Sequence, residues 1–210
     1  MKVVIFGASG RSGIPLVEQA LERGHDVTAF VRTKSKLANT QPKLTIVEGD
    51  VLNSEDVERA IIGQDVVLSV IGHTKQGPKD LLSKATQNIL KAMNNLGVKR
   101  IISLTGAGVK VPKDVKQGFV SRFFETLLKL FEKELWMDSV KQKDLIKEST
   151  VDWTIVRGPR LLVGEKTENY QTGYFKFNKP MINRADVAHF ILDEIEKNQF
   201  VREYPLIGMK

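Results

Sequence analysis

The segment that most constrains this chain is Gly7-Ala8-Ser9-Gly10-Arg11-Ser12-Gly13, three glycines at three-residue spacing. It lies between the apolar run Val3-Val4-Ile5-Phe6 and a helix-period stretch that begins at Ile14. A strand that gives way to a helix this abruptly needs glycine at the turn, a second glycine where a ligand meets the backbone, and a third where the helix packs on the turn. The helix then presents its free amides and its positive end to an anion, and the anion that suits such a cradle is a diphosphate. The motif assigns Gly7, Ser9, Gly10, Arg11, Ser12 and Gly13 to the binding of a dinucleotide.

The rest of the chain continues in the same rhythm. Short β-branched runs predict strands over 2–6, 26–31, 44–48, 65–71, 100–105 and 153–157. Helix-period segments fall between them at 12–23, 54–62, 80–96 and 118–149, the last broken around Trp136-Met137-Asp138. Ser54, followed by Glu55 and Asp56, reads as a helix cap. A helix over 184–197 capped by Asn183 precedes a seventh strand at 203–207. Alternation of this kind predicts an α/β, doubly wound Rossmann fold, a mostly parallel seven-stranded sheet with helices on both faces. With no repeat, linker or low-complexity tract, 1–210 reads as one domain. The glycine- and proline-containing stretch 158–182 reads as a loop-rich flap over the carboxyl ends of the strands, where such sheets bind ligands.

The second strand ends in Arg32-Thr33-Lys34, where proteins selective for NAD carry an acid to hold the ribose 2′-hydroxyl. A carboxylate there would repel a 2′-phosphate, whereas a guanidinium grips one through two parallel charge-assisted bonds. The expected cofactor is therefore NADP(H), held by Arg32, Thr33 and Lys34, with Arg11 in support. After the third strand, Asp50 can accept from the adenine amino group while Val51 packs on the ring. After the fourth, Ile71 and Gly72 let the ribose pass close to the backbone, and His73 stands where it can touch a substrate.

Composition narrows the remaining classes. The chain has no cysteine, which excludes thiolate nucleophiles, disulfides and cysteine-based metal sites and suits a reducing compartment such as the cytoplasm. Its three histidines share no spacing that could hold a metal. The net charge of +7 is scattered, with no Lys/Arg run longer than two, so no nucleic-acid partner is expected. No stretch approaches the roughly 18 apolar residues of a membrane span.

Gly7-x-x-Gly10-x-x-Gly13, Val31-Arg32, Gly49-Asp50-Val51 and Val151-Asp152-Trp153-Thr154-Ile155-Val156-Arg157-Gly158-Pro159 together make a chain that resembles the atypical short-chain dehydrogenase/reductases. Within them it is most similar to the NAD(P)-binding proteins akin to biliverdin reductase B, a flavin reductase, and to the NmrA-like group. The resemblance implies strand order 3-2-1-4-5-6-7 and a nicotinamide beside Gly158 and Pro159. It implies hydride transfer to a stacked acceptor, with the Thr105 hydroxyl facing the nicotinamide. Gly106 departs from the serine that the nearest relatives carry. Ser103, deeper on the same strand face as Thr105, reads as a buried structural hydroxyl.

Two functions fit these readings. One is an NADPH-dependent reductase of a flat conjugated acceptor, such as a flavin, a quinone or a similar carbonyl compound. The other is an NADP(H)-binding redox sensor or scaffold without catalysis. The tyrosine-dependent short-chain dehydrogenases place a Tyr-x-x-x-Lys on one helix face, and here Tyr170, Tyr174 and Tyr204 are followed four residues on by Tyr174, Asn178 and Gly208. Residues 119–136 carry a wide apolar stripe, from Phe119 through Phe123, Leu127 and Phe131 to Trp136, opposite Arg122, Glu125, Lys129 and Lys133. Packing on the body of the domain, a lid, a dimer face in a monomer–homodimer system and a peripheral membrane contact are all compatible with it.

Overall fold

A computed structural model describes residues 1–33, 41–74, 77–118 and 132–210. The chain opens β1 (Lys2–Phe6), α1 (Gly13–Glu22), β2 (Asp26–Val31), β3 (Leu44–Glu48), α2 (Ser54–Ile61) and β4 (Val66–Ser69). It continues through α3 (Leu81–Leu96), β5 (Arg100–Gly106), α4 (Lys133–Glu148) and β6 (Asp152–Gly158). The last part contains β7 (Arg160–Leu162), β8 (Tyr170–Gly173), β9 (Met181–Asn183), α5 (Arg184–Lys197) and β10 (Leu206–Met209).

The apolar run of β1 is buried on both sides because alternate residues serve opposite layers. Val3 and Ile5 pack with Leu16 and Val17 of α1 and Val187 and Ile191 of α5. Val4 and Phe6 pack with Val57 of α2, Ala85 and Ile89 of α3 and Ile146 of α4. Burial of that kind places β1 in the middle of the sheet, whose order is β3-β2-β1-β4-β5-β6-β10-β8. The first seven strands are parallel and follow the expected order.

The sheet has eight strands rather than seven, since the flap is not all loop. Its segment β8 pairs antiparallel with β10, from Leu206↔Gly173 to Met209↔Tyr170. Two further flap strands, β7 and β9, form a small parallel sheet of their own. The seventh parallel strand begins at Leu206, later than expected, because Pro205 has no N–H to give to a ladder and only its carbonyl is used, by the Arg157 amide at 2.9 Å. The cap of α2 is Asn53, not Ser54: its extended backbone lets Oδ1 accept from the amides of Glu55 and Asp56. Asn183 occupies the cap position of α5 without capping it, because its Nδ2 donates to the Glu165 carbonyl instead. Helix α4 runs unbroken through Trp136, Met137 and Asp138, against the expected interruption. Of the apolar stripe, 119–131 lies outside the described residues, and Trp136 donates from its indole to the Gly108 carbonyl at 3.3 Å.

One ion pair holds the chain that follows β5. Arg157 on β6 is fully buried, and its guanidinium donates from Nη1 to Asp114 Oδ2 at 2.8 Å and from Nη2 to Oδ1 at 2.6 Å. The remaining directions go to the carbonyls of Val109 at 3.0 Å and Tyr204 at 2.9 Å. Burial pushes the Asp114 carboxyl up, but the Arg157 guanidinium and the Val111 amide outweigh that and hold it below the usual carboxylate range. Asp114→Asn leaves the buried guanidinium without its counter-charge and should destabilise the fold by about 3 kcal/mol in urea unfolding at neutral pH. Because the folded pKa is the lower one, this contribution is complete above the unfolded value near ~3.9 and disappears as pH falls through the folded value. The gap between wild type and variant should therefore close only in acid.

Candidate cofactor and active site

At the glycine loop, backbone meets backbone. Gly7 has φ +85, and a Cβ there would lie 2.9 Å from the Val70 carbonyl carbon and oxygen. A Cβ on Gly13 would lie 2.1 Å from the Gly7 oxygen and 2.5 Å from that of Ala8, so α1 can start under the turn only with glycine. Gly10 differs, being exposed, with only the Gly7 oxygen near its missing side chain, at 3.1 Å. Ser12 holds the cap position of α1 but makes no side-chain cap bond, and the first turn has no acid. The positive end of α1 is thus open to an external anion, as a diphosphate requires.

Arg11 is exposed on this loop, and the structure adds a residue that sequence reasoning missed. Arg184, the first residue of α5, has its Nε buried without a partner, and burial and then the charge of Arg11 lower its pKa. Neither arginine makes an ion pair with a described residue, and two guanidiniums sharing a field without a carboxylate are the electrostatic signature of an anion site. Its signal in the sequence is faint, a lone Arg at the start of a late helix.

The carboxyl ends of β1 to β4 enclose a cleft of about 380 Å³ bordered by Gly7, Ser9, Gly10, Arg32, Asp50, Val51, Ile71 and Gly72. An open hollow beside it is lined by Arg32, Glu48, Gly49 and Asp50. Arg32 and Thr33 are exposed, and Lys34 lies outside the described residues. Asp50 is partly committed, with Oδ1 accepting from the Leu52 amide at 2.9 Å. The turn around it is fastened by Asp56, another residue not foreseen. Asp56 accepts from the Asp50 amide at 2.9 Å, a bond that together with Arg59 lowers its pKa. Its Cβ would stand 2.8 Å from one on Gly49.

Towards the expected nicotinamide end, a Cβ on Gly72 or Gly106 would meet nothing within 4 Å, so the chain's own packing does not require glycine at either place. Thr105 is 8% exposed and its hydroxyl has no partner among the described residues. Ser103 is deeper, as expected, and accepts from Gln142 Nε2 at 3.3 Å. Gly158 is buried, accepts from the Ala107 amide at 2.7 Å and faces Leu161, while Pro159 is half-buried. Arg11, Ser12, Gly13, Thr33, His73, Thr105, Gly158 and Pro159 are not in the cleft lining. Of His73, Nε2 lies 2.9 Å from Asp138 Oδ2.

The flap tyrosines are committed to structure. Tyr170 bonds His189 Nδ1 at 2.7 Å and its phenol is pushed well above the usual range by burial. Tyr174 donates to Glu203, and burial together with that carboxylate pushes it up to about 12. No group of three metal-ligating side chains occurs among the described residues, and no helix there is long and apolar enough to cross a membrane.

The two later glycines of the loop should separate folding from binding. Gly13→Ala puts a carbon into backbone oxygen and should destabilise the protein by about 3 kcal/mol. Gly10→Val should keep the circular dichroism of the wild type and weaken NADPH in calorimetric titration at least about 100-fold, or ~2.7 kcal/mol. Retained binding in Gly10→Val would show that the diphosphate lies elsewhere.

Similarity to known proteins agrees with this geometry. The chain is 29% identical over 216 residues to the uncharacterized protein YwnB of Bacillus subtilis, covering 97% of this chain and 96% of that one. A Streptococcus pneumoniae protein described provisionally as an NADH-flavin reductase superposes with TM-score 0.77 at 25% identity, over 100% of both chains. A short-chain dehydrogenase/reductase of Veillonella parvula, solved in complex with NADP, has the same fold, with TM-score 0.84 at 19% identity over 99% of this chain and 94% of that one. The family model described as NAD(P)H-binding matches residues 7–198, from the first glycine of the loop to the end of α5, and the chain belongs to that NAD(P)H-binding family of Rossmann-fold proteins.

Proposed function

We propose that this protein is an NADPH-dependent reductase that delivers hydride to a flat, conjugated acceptor such as a flavin, a quinone or a similar carbonyl compound. The observation that carries the reading is Arg32. It stands at the end of β2, exposed, without a partner among the described residues, and borders both the cleft and the adjoining hollow. A guanidinium so placed favours a 2′-phosphate and has nothing to gain from a bare ribose hydroxyl. Arg32 with Thr33 and Lys34 would hold that phosphate. Asp50 and Val51 would flank the adenine. The glycine loop with Arg11, Ser12 and Arg184 would take the diphosphate, and Ile71, Gly72, Thr105, Gly158 and Pro159 would surround the nicotinamide. A reduced nicotinamide, when bound, supplies a hydride, and the chain's own part is to orient the rings and exclude water. The reading fits the cytoplasm, where NADPH is maintained as a reductant.

NADPH should bind at least tenfold more tightly than NADH, a modest ~1.4 kcal/mol for a charge-assisted phosphate contact. Arg32→Glu should weaken NADPH far more than NADH in the same titration, and equal dissociation constants in the wild type would remove the assignment.

Loss of NADPH absorbance should follow addition of FMN or a quinone, with almost no turnover of simple secondary alcohols. Tyr170→Phe and Tyr174→Phe should each cost less than about tenfold in kcat, since neither phenol is free to act as an acid. Tight NADPH binding with no turnover over a broad acceptor panel would instead identify a redox sensor or scaffold.

A further inference from the structure

Asp138 presents a chemical puzzle. It is a carboxylate only 5% exposed, on a helix with no Lys or Arg paired to it among the described residues. Oδ2 accepts from the Leu82 amide at 2.8 Å and Oδ1 from the Ser83 amide at 3.1 Å. Those amides belong to the first turn of α3, whose own cap residue, Asp80, makes no side-chain cap bond. Asp138 therefore caps α3 from the neighbouring helix α4. Capping accounts for two of its contacts and does not call for the third, the bond to His73 Nε2 at 2.9 Å.

That third contact determines the chemistry of the imidazole. A carboxylate only accepts, so neutral His73 carries its proton on Nε2 and leaves Nδ1 as a free lone pair. Nδ1 has no partner among the described residues, and the side chain keeps 16% exposure. Gly72 and Thr74, on either side of His73, both border the cleft, and His73 stands between them just outside its lining. The arrangement is an oriented base beside a cofactor cleft, with a buried carboxylate behind it. It occurs in a chain that lacks a tyrosine–lysine acid.

We propose that His73 is the proton donor for the acceptor's oxygen and that Asp138 is its positioning residue, which makes conjugated carbonyl compounds and quinones the preferred substrates. The proposal rests on the reductase reading above. As hydride arrives at the conjugated system, the imidazolium gives its Nδ1 proton to the oxygen that receives the electron pair. The acceptor gains one hydride and one proton, and the imidazole regains its proton from solvent. Asp138 fixes the tautomer and the orientation of the ring.

The test combines kinetics with a spectroscopic measurement that needs no turnover. Long-range ¹⁵N–¹H spectra of the full chain without cofactor should show neutral His73 protonated on Nε2, with Nδ1 the nitrogen that exchanges its proton. A neutral ring protonated on Nδ1 would overturn the proposal. His73→Gln should lower kcat for a quinone about 100-fold, as loss of a general acid does, with the NADPH dissociation constant unchanged within about twofold. The loss with FMN should be smaller, since reduced flavin can take its proton from solvent. Asp138→Asn must turn an NH₂ toward one of its three donors. With the NH₂ turned toward the lone Ser83 amide, the remaining oxygen still serves Leu82 and His73, so the Nε2–H tautomer should persist while the weaker neutral acceptor slows quinone reduction, and should that variant not fold, the wild-type spectra and His73→Gln still decide. If the wild type reduces quinones and His73→Gln does so within threefold, the donor role falls while the reductase reading stands. If the wild type reduces no acceptor, both fall.

Discussion

Among the described glycines, the one whose missing side chain has least room lies where a helix meets the turn that precedes it. Helix α1 begins so near the carbonyls of Gly7 and Ala8 that the space for a side chain on Gly13 is already filled by backbone oxygen. That single constraint starts the helix directly at the carboxyl edge of β1, where the Ile14 amide bonds the Gly10 carbonyl at 3.0 Å. It also places Gly10 where a ligand can reach the main chain. The buried faces of β1 hold the geometry from below, through Leu16 and Val17 on one side and Phe6 on the other. A looser packing would still fold, but the anion cradle would lose its direction.

Much of this was legible in the residues. The glycine spacing after an apolar run and the alternation that followed announced a mostly parallel sheet, and the resemblance to the atypical short-chain dehydrogenase/reductases implied its strand order. What escaped were features that depend on a partner distant in sequence. The edge strand β8 reads Tyr-Gln-Thr-Gly, polar and four residues long, and its pairing with β10 is written in no local pattern. Asn53 was passed over in favour of Ser54 because both are good cap residues, and only the backbone angle decides between them. Arg32 could be singled out from its place after β2, whereas Arg184 and Asp138 lie on late helices with no local motif to mark them.

A second theme is the use of acids to satisfy amides. Asp138 caps α3, Asp56 holds the turn at Asp50, and Glu194 accepts from the amides of Gln199 and Phe200 at the end of α5. Asp186, fully buried, accepts from the amides of Thr167 and Glu168, the latter at φ 56. In each case a carboxylate supplies the acceptor that an amide at a turn or helix end lacks locally, and the charge is tolerated because several donors share it. Buried acids here are chiefly fasteners, which is why the one that also holds an imidazole stands out.

The antiparallel pairing of β8 with β10 bears on the order in which the molecule is assembled. The half that carries the glycine loop, from β1 through β4, is contiguous in sequence, and its strands find their neighbours within a short stretch of chain. The flap cannot dock in the same way, since β8 leaves the ribosome before the strand it leans on. A nascent chain can thus present the glycine loop and Arg32 while Arg184 and the wall over the acceptor side are still unplaced. The loop that would meet the diphosphate exists in the chain before the space in which an acceptor would react is enclosed.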